Sequence, residues 1–317
     1  MRVGRAIASI SCSHMKVMHG ITRDLIAASV VTMGMFDGVH RGHQALLQAC
    51  RREAGRQGLP AVALTYAPHP MQVLRPDLPV RLLTLLPEKL ARLAHDAVDN
   101  VVIAEFTRAF SQLSAMEFLH DYLVDALHAR TVVVGYRTTF GHSREGNEAL
   151  MRKAGKTLGF DVVVVPPVEV AGRAVSSSQI RDCLDTGDVA LAAELLGYRY
   201  EMTGIVVPGD GRGHELGIPT ANLDIPREKL VPAEGVYVVN TCAPGVHARA
   251  VMSIGERPTF DRPRTLEVHL LDFHGDLYHK PLTVTFLARL RPQVKFDTPE
   301  ALIEQIQQDI DAARAID

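Results

Sequence analysis

His40 and His43 stand three residues apart, in a run that reads Phe36-Asp37-Gly38-Val39-His40-Arg41-Gly42-His43 after Gly34. Residues at i and i+3 share one face of a helix, and this run falls where a helix should begin. Two imidazoles beside the free N–H groups of a helix start make a site for phosphate. Gly34, Gly38 and Gly42 would let the backbone approach a ligand closely. The chemistry this suits is nucleotidyl transfer, in which a phosphate oxygen attacks the α-phosphate of ATP and donors stabilise the developing charge. Positioning and electrostatics suffice, so no covalent intermediate is required. A His-x-x-His pair could also hold a metal, but no third ligand stands at suitable spacing.

Other segments carry polar groups of the same kind. Val175-Ser176-Ser177-Ser178-Gln179-Ile180-Arg181 opens a predicted helix, where hydroxyls, N–H groups and the Arg181 guanidinium can hold phosphate. Alone, a serine run at a helix start is usually only a cap. Further on, Gly209-Asp210-Gly211-Arg212-Gly213-His214-Glu215-Leu216-Gly217-Ile218-Pro219-Thr220-Ala221-Asn222 is not a Walker loop, since no Gly-Lys-Ser/Thr follows. Gly211, Gly213, Gly217 and Pro219 suit a flap over nucleotide phosphates. Thr220 and Asn222 offer neutral oxygens suited to Mg²⁺ alongside ATP oxygens. In Leu266–Phe273, alternation puts Glu267, His269, Leu271 and Phe273 on one strand face. Glu267 is the natural base for an alcohol attacking a γ-phosphate.

The elements that must position these groups fall into two sets. Val30–Met33, Ala61–Thr65, Val101–Ile103, Thr131–Val134 and Asp161–Val165 are apolar on both faces, as in a Rossmann-like, doubly wound parallel sheet of the α/β class. Ligands of such sheets sit at the carboxyl ends of the strands. Gly34–His43, Pro68–Pro70 and Gly135–Gly146 all follow strands and would converge there. Residues 1–20 read as a lead-in or an early strand. Past Gly197 the pattern becomes short alternating strands, Thr203–Val207, Gly235–Asn240, Ala248–Ile254, Leu266–Phe273 and Leu282–Leu290, which suggests a small antiparallel β-barrel. A closing helix follows, with Thr298 as N-cap, Pro299 in the first position and Leu302, Ile303, Ile306 and Ile310 on its apolar face. The domains expected are 1–197 and 198–317.

Composition bounds the partners. The 317 residues carry a formal net charge of -2, which gives no electrostatic case for nucleic acid or an anionic membrane. Cys12, Cys50, Cys183 and Cys242 are scattered without a C-x-x-C, as expected of reduced thiols in a cytoplasmic protein. No apolar run reaches the 18 or so residues of a membrane span. Small-molecule substrates are the expected partners, and a homo-oligomer stays open.

The paired motifs resemble the His-x-Gly-His nucleotidyltransferases, and Phe36–His43 resembles more closely the bacterial bifunctional riboflavin kinase/FAD synthetase family. That likeness runs from about Val31 to the C-terminus. It implies an N-terminal FMN adenylyltransferase module and a C-terminal riboflavin kinase module, with ATP and Mg²⁺, and riboflavin, FMN and FAD as substrates and products. On it, His40, His43 and Arg181 serve adenylyl transfer, and Gly34, Phe36, Asp37, Gly38, Gly42 and Ser176–Ser178 bind nucleotide. Glu267 matches the kinase base and Thr220 and Asn222 the metal and ATP positions. Arg257-Pro258-Thr259-Phe260 and Leu290-Arg291-Pro292 match flanking signatures, which puts Arg257 and Arg291, with Arg137, near flavin.

The sequence departs from the family in specific places. Ala67 in Thr65-Tyr66-Ala67-Pro68-His69-Pro70 stands where the family has a carboxylate. Arg137, Thr138 and Thr139 replace a short acidic or amide residue, an aromatic and an arginine; Arg144 and Gly146 still fit. In the second module Ser253 replaces Asn and Gln293 replaces Glu. Three readings follow for the first module: adenylation of FMN in a rearranged pocket with Arg137 replacing the lost arginine; transfer involving a modified flavin or another nucleoside triphosphate such as CTP; or a binding domain without catalysis.

Overall fold

The computed structural model describes residues 15–95, 98–209, 218–256 and 264–316. The chain divides into two compact units, Met1–Ser177 and Ser178–Asp317.

The first unit is built on a six-stranded sheet with every pairing parallel. Its strands are β1 (Lys16–His19), β2 (Ser29–Met33), β3 (Ala61–Ala67), β4 (Asn100–Glu105), β5 (Ala129–Gly135) and β6 (Asp161–Val165), in the spatial order β1-β4-β3-β2-β5-β6. The β-branched runs named above form β2 to β6, and β1 adds an edge strand within the expected lead-in. All of β2 is buried, because both faces of the sheet are covered. On one face Val31, Val62, Leu64, Val102 and Val132 pack against Leu119 and Leu123, which lie in a π-helical stretch, Leu119–Ala126, continuing α4 (Ala115–Phe118). On the other, Ala63, Val101 and Ile103 pack with Leu47 of α1 (Arg41–Gln57) and Leu93 of α3 (Leu86–His95). α2 (Pro70–Leu74) and α5 (Glu148–Leu158) complete the helices that connect these strands. A two-stranded ribbon, β7 (Glu169–Val170) with β8 (Arg173–Ala174), precedes Ser177. Cys50, Cys183 and Cys242 are free thiols, and burial pushes the Cys50 thiol up to about 12.

α6 (Ser177–Thr186) begins on the last residue of the first unit; in the second, the rest of α6 and α7 (Val189–Leu196) lead into a closed six-stranded antiparallel barrel. Its strands are β9 (Glu201–Val207), β10 (Ala221–Asp224), β11 (Gly235–Ala243), β12 (Val246–Glu256), β13 (Arg264–Leu270) and β14 (Pro281–Arg291). Side chains alternate as a barrel requires: on β13, Leu266, Val268 and Leu270 are buried, whereas Thr265, Glu267 and His269 face outward.

Two expectations are corrected here. β13 ends at Leu270, so Leu271 and Phe273 do not continue the Glu267 face; Leu271 is buried and Asp272 turns the chain with a φ of 55°. On α8 (Pro299–Ala315), Thr298 caps the helix and Pro299 opens it as expected, but Ile303 is exposed. The stripe that packs is instead Ile306, Ile310 and Ala313 against Val236, Val238 and Val251. Asp309 also lies on the inward side of α8, because Arg291 meets it there: Nε and Nη2 donate to the carboxylate at 3.0 and 2.8 Å.

That ion pair is 17% and 5% exposed, so removing one partner strands a charge. Asp309→Ala is expected to destabilise the barrel unit by about 3 kcal/mol, measured by hydrogen exchange of the β11 and β14 amides. A loss below about 1 kcal/mol would show that solvent already screens the pair.

Candidate active sites

The first site lies where β3, β2 and β5 end side by side. The turn from β2 to α1 is irregular: Phe36, Gly38 and Val39 have φ of 49°, 81° and 34°, and Phe36 and Val39 are fully buried. Asp37 explains how the turn is held. Its buried Oδ1 accepts from the Leu83 and Thr84 N–H groups, both at 3.0 Å, and the Gly38 N–H donates to Thr84 Oγ1 at 3.0 Å. Asp37, expected as a nucleotide contact, thus anchors the loop.

His40 is the N-cap of α1, its Nδ1 accepting from the His43 N–H at 3.3 Å. That bond leaves the proton of a neutral His40 on Nε2. The two imidazoles stack 3.6 Å apart, and Phe36 meets His43 edge-on at 5.4 Å. A Cβ on Gly42 would come within 3.1 Å of the His40 ring, so glycine there makes room for the imidazole. At Gly34 an added Cβ would make only ordinary contacts with Phe36. Burial, followed by the charges of His40 and Lys89, holds His43 well below its ordinary value, so it is neutral at pH 7. Its Nδ1 is buried and has no partner among the described residues. A buried ring nitrogen left without a hydrogen bond at a helix start is available to a ligand atom.

Ser177 joins this turn through its hydroxyl, which donates to the Asp37 carbonyl at 2.9 Å. Ser176 is half-buried just before it, and Ser178 is exposed. Arg181, half-buried and four residues beyond Ser177, shares its face of α6.

The altered loops flank the turn. Ala67 ends β3 in register with Glu105 of β4. After β5, Arg137 is exposed and its guanidinium lies 5.2 Å from the Tyr136 ring centre. Thr138 has become a turn residue: its Oγ1 accepts from the Gly135 N–H and its N–H donates to the Gly135 carbonyl, both at 3.0 Å. The rest of the loop is tied down separately. The His142 N–H donates to the Leu113 carbonyl at 2.7 Å, and Glu145 accepts from the Ala115 N–H at 2.6 Å.

The second site is on the outside of the barrel. The segment that carries Asn222 is the barrel strand β10: Asn222 pairs with Glu267 of β13 on one side and with Val207 of β9 on the other. Glu267 is in turn opposite Ser253 of β12. Thus Ser253, Glu267 and Asn222 form one row across three strands. A Cβ on Gly209 would overlap the Asn222 amide, so the chain passes closely over it. His269, outward like Glu267, contacts the Pro219 carbonyl through Nδ1 at 2.8 Å, beside Thr220. Gln293 Nε2 donates to Ser253 Oγ at 2.8 Å and to the Ile254 carbonyl at 3.0 Å, so the two departures from the kinase pattern touch one another. Arg291 belongs to the Asp309 latch. Gly211, Gly213, Gly217 and Arg257 lie outside the described residues.

Sequence reasoning missed the clamp on the first turn: Thr65, Leu83, Thr84 and Lys89. The available signal was Lys89, a cation on the apolar stripe formed by Leu86, Leu90 and Leu93.

A doubly wound sheet with stacked histidines at a helix start, joined to a barrel with an Asn/Glu row, defines a two-site nucleotide-dependent transferase. Comparison with known proteins makes this specific. Residues 23–179 match the FAD synthetase family model and residues 196–316 the riboflavin kinase model. A bifunctional riboflavin kinase/FMN adenylyltransferase of Pseudomonas fluorescens is 40% identical over 290 residues, 90% of this chain and 92% of that one. The protein of the same name from Escherichia coli K12 is 38% identical, covering 94% and 95%. A solved structure described as a macrolide-efflux protein from Streptococcus pneumoniae superposes with a TM-score of 0.87 at 31% identity, over 96% of this chain and 99% of that one. Among the described residues no helix is long and apolar enough to cross a membrane. The chain belongs to the bifunctional riboflavin kinase/FMN adenylyltransferase family.

Because Asp37 satisfies two buried N–H groups, Asp37→Ala is expected to cost about 2–4 kcal/mol in the first unit. The readout is faster hydrogen exchange at Leu83 and Thr84, with the barrel amides unchanged. Unchanged protection at those two amides would remove Asp37 from its anchoring role.

Proposed function

We propose that this enzyme phosphorylates riboflavin with ATP to give FMN and ADP, and then joins FMN to a second ATP to give FAD and pyrophosphate. Residues 1–197 carry the adenylyl transfer and 198–317 the phosphorylation. The observation that carries the reading is that one chain holds both the stacked His40/His43 pair at a helix start and the Asn222–Glu267 row on a barrel.

At the barrel, Glu267 takes the proton from the ribityl 5′-hydroxyl as its oxygen attacks the γ-phosphate in line and ADP leaves. The Asn222 amide, opposite Glu267, and the Thr220 hydroxyl just before β10 supply hard neutral oxygens. This donor set fits Mg²⁺, which would neutralise charge on the ATP phosphates when bound. At the sheet, an FMN phosphate oxygen attacks the α-phosphate and pyrophosphate leaves. His40 through Nε2–H, His43 through its Nδ1 side and Ser177 hold the charge that builds on the phosphates, and Arg181 is the charged donor that the sequence motif adds.

Ala67 and Arg137 favour a second reading of the acceptor side. A lost carboxylate and a gained cation make that rim more positive by about two charges, which favours an anionic acceptor held differently from the family's, or another nucleoside triphosphate. A cytoplasmic setting, with free Cys50, Cys183 and Cys242, completes the proposal.

The test is chromatography of products after incubating the full chain with riboflavin or FMN, each with ATP or CTP and Mg²⁺. FMN and FAD from ATP are expected. FMN without any dinucleotide would refute the bifunctional reading, and a cytidine dinucleotide would establish the second. Glu267→Gln should slow riboflavin phosphorylation by about 10²–10⁴-fold while sparing dinucleotide formation. His43→Ala should do the reverse, by about 10²–10³-fold. If either variant keeps the activity assigned to its site, that role is wrong.

A further inference from the structure

Lys89 has no part in the chemistry above, yet it is a buried cation directly behind the adenylyl-transfer turn. α3 turns it inward with Leu86, Leu90 and Leu93, and it is 6% exposed. Its Nζ donates to the Met35 carbonyl at 3.1 Å and to Thr65 Oγ1 at 3.2 Å, while Thr65 Oγ1 donates to the same Met35 carbonyl at 3.3 Å. These atoms close a triangle across the carboxyl ends of β2 and β3. The Met35 carbonyl belongs to the peptide immediately before Phe36, where the left-handed turn starts. Residues 83–89 therefore grip residues 35–38 at both ends, through Lys89 on Met35 and through Leu83 and Thr84 on Asp37 and Gly38.

Hydrogen bonding alone does not call for an ammonium at this place, since burying a charge is costly and a neutral donor could reach a carbonyl and a hydroxyl. What the charge adds is electrostatic. The titratable groups facing it are Asp37 in the turn, whose charge acts to keep the ammonium protonated, and His43 of α1, which Lys89 helps to hold neutral. β3 offers only the hydroxyl of Thr65. On its own helix Glu88 is turned to the Leu85 N–H.

We propose that Lys89 is a positioning residue for adenylyl transfer: its ammonium pins the Met35 carbonyl and Thr65, so fixes the His40–His43 turn, and places a fixed positive charge on the protein side of the phosphate site. The inference rests on the adenylyltransferase reading. Burial brings the Lys89 ammonium down to about 8, against the pull of Asp37, so the charge is present at pH 7 and is lost as the pH rises through that value.

The experiment follows FAD formation from FMN and ATP, and FMN formation from riboflavin and ATP, between about pH 6.5 and 9.5, in the native full-length chain and in Lys89→Met. Native kcat/KM for adenylyl transfer is expected to fall above about pH 8, approaching tenfold per unit, because kcat/KM reports the free enzyme. In Lys89→Met it should be lower by about 10²-fold at pH 7.5 and should no longer show that fall. Riboflavin phosphorylation, the internal control, should stay within about twofold and share neither change. A native profile flat to pH 9.5 would overturn the proposal whatever the variant does. So would an alkaline fall that survives in Lys89→Met, since it would belong to another group. Failure of the native chain to make any dinucleotide at any pH, with kinase activity intact, would instead remove the adenylyltransferase reading and this inference with it.

Discussion

The first unit depends on keeping one turn of backbone, residues 36–39, in a conformation that the chain resists. Phe36 and Val39 have positive φ without being glycine, and each such residue costs on the order of 1–3 kcal/mol unless its surroundings hold it. The surroundings here are specific. Phe36 and Val39 bury their side chains completely in the core beside Leu47 and Leu93. Between them Asp37 turns its carboxylate inward to Leu83 and Thr84. The hydrophobic anchors and the carboxylate together convert an unfavourable turn into a rigid one. Rigidity is what the site needs, because α1 starts from this turn and carries His40 and His43 in fixed mutual stacking.

The barrel solves the positioning problem by register instead. Glu267 and Ser253 come from successive strands and Asn222 from β10, more distant in sequence, and ladder pairing sets them side by side. Alternation then decides which side chains can do chemistry, since Leu266 and Val268 must fill the interior and Glu267 cannot join them. A shift of one residue on β13 would put the carboxylate into an apolar core. The α8 helix packs on this barrel through Ile306, Ile310 and Ala313, with the Asp309–Arg291 pair set among them.

Much of this was legible in the chain. Runs such as Ala61–Thr65 and Thr131–Val134 declare buried parallel strands, because β-branched residues on both faces suit a sheet covered on both sides. The helix starts at His40 and Thr298 were also readable from local chemistry. What escaped was set by long-range closure. Ala221–Asp224 carries two residues that disfavour strands, and it is a strand because β9 and β13 leave a slot between them. Phe273 looked like a continuation of β13, but nothing in the alternation announced the reversal at Asp272. Arg291 matched a flavin-side signature, and its partner Asp309 was visible only as an acid on an otherwise apolar helix face. Ile303 satisfied the same helical spacing as Ile306, and the face chosen by the barrel excluded it.

The anchoring pattern gives a physical reason why residues 67 and 137–139 could change without disturbing the His40–His43 turn. The His40–His43 turn is held by residues 83–89 and by Ser177, none of which lies in the altered loops. The loop after β5 has its own fastenings, to Leu113 and Ala115, and an internal turn closed by Thr138. Exchanges at residues 137–139 therefore alter exposed chemistry, as with Arg137, or local turn bonding, as with Thr138, without loosening the histidines. Ala67 lies at the end of β3, two residues past Thr65, and its side chain takes no part in the triangle that Thr65 forms with Lys89 and Met35. Tolerance of this kind comes from independent hydrogen-bond sets around one crevice. It lets the His40–His43 turn keep its bonding while the charge of the neighbouring loops changes.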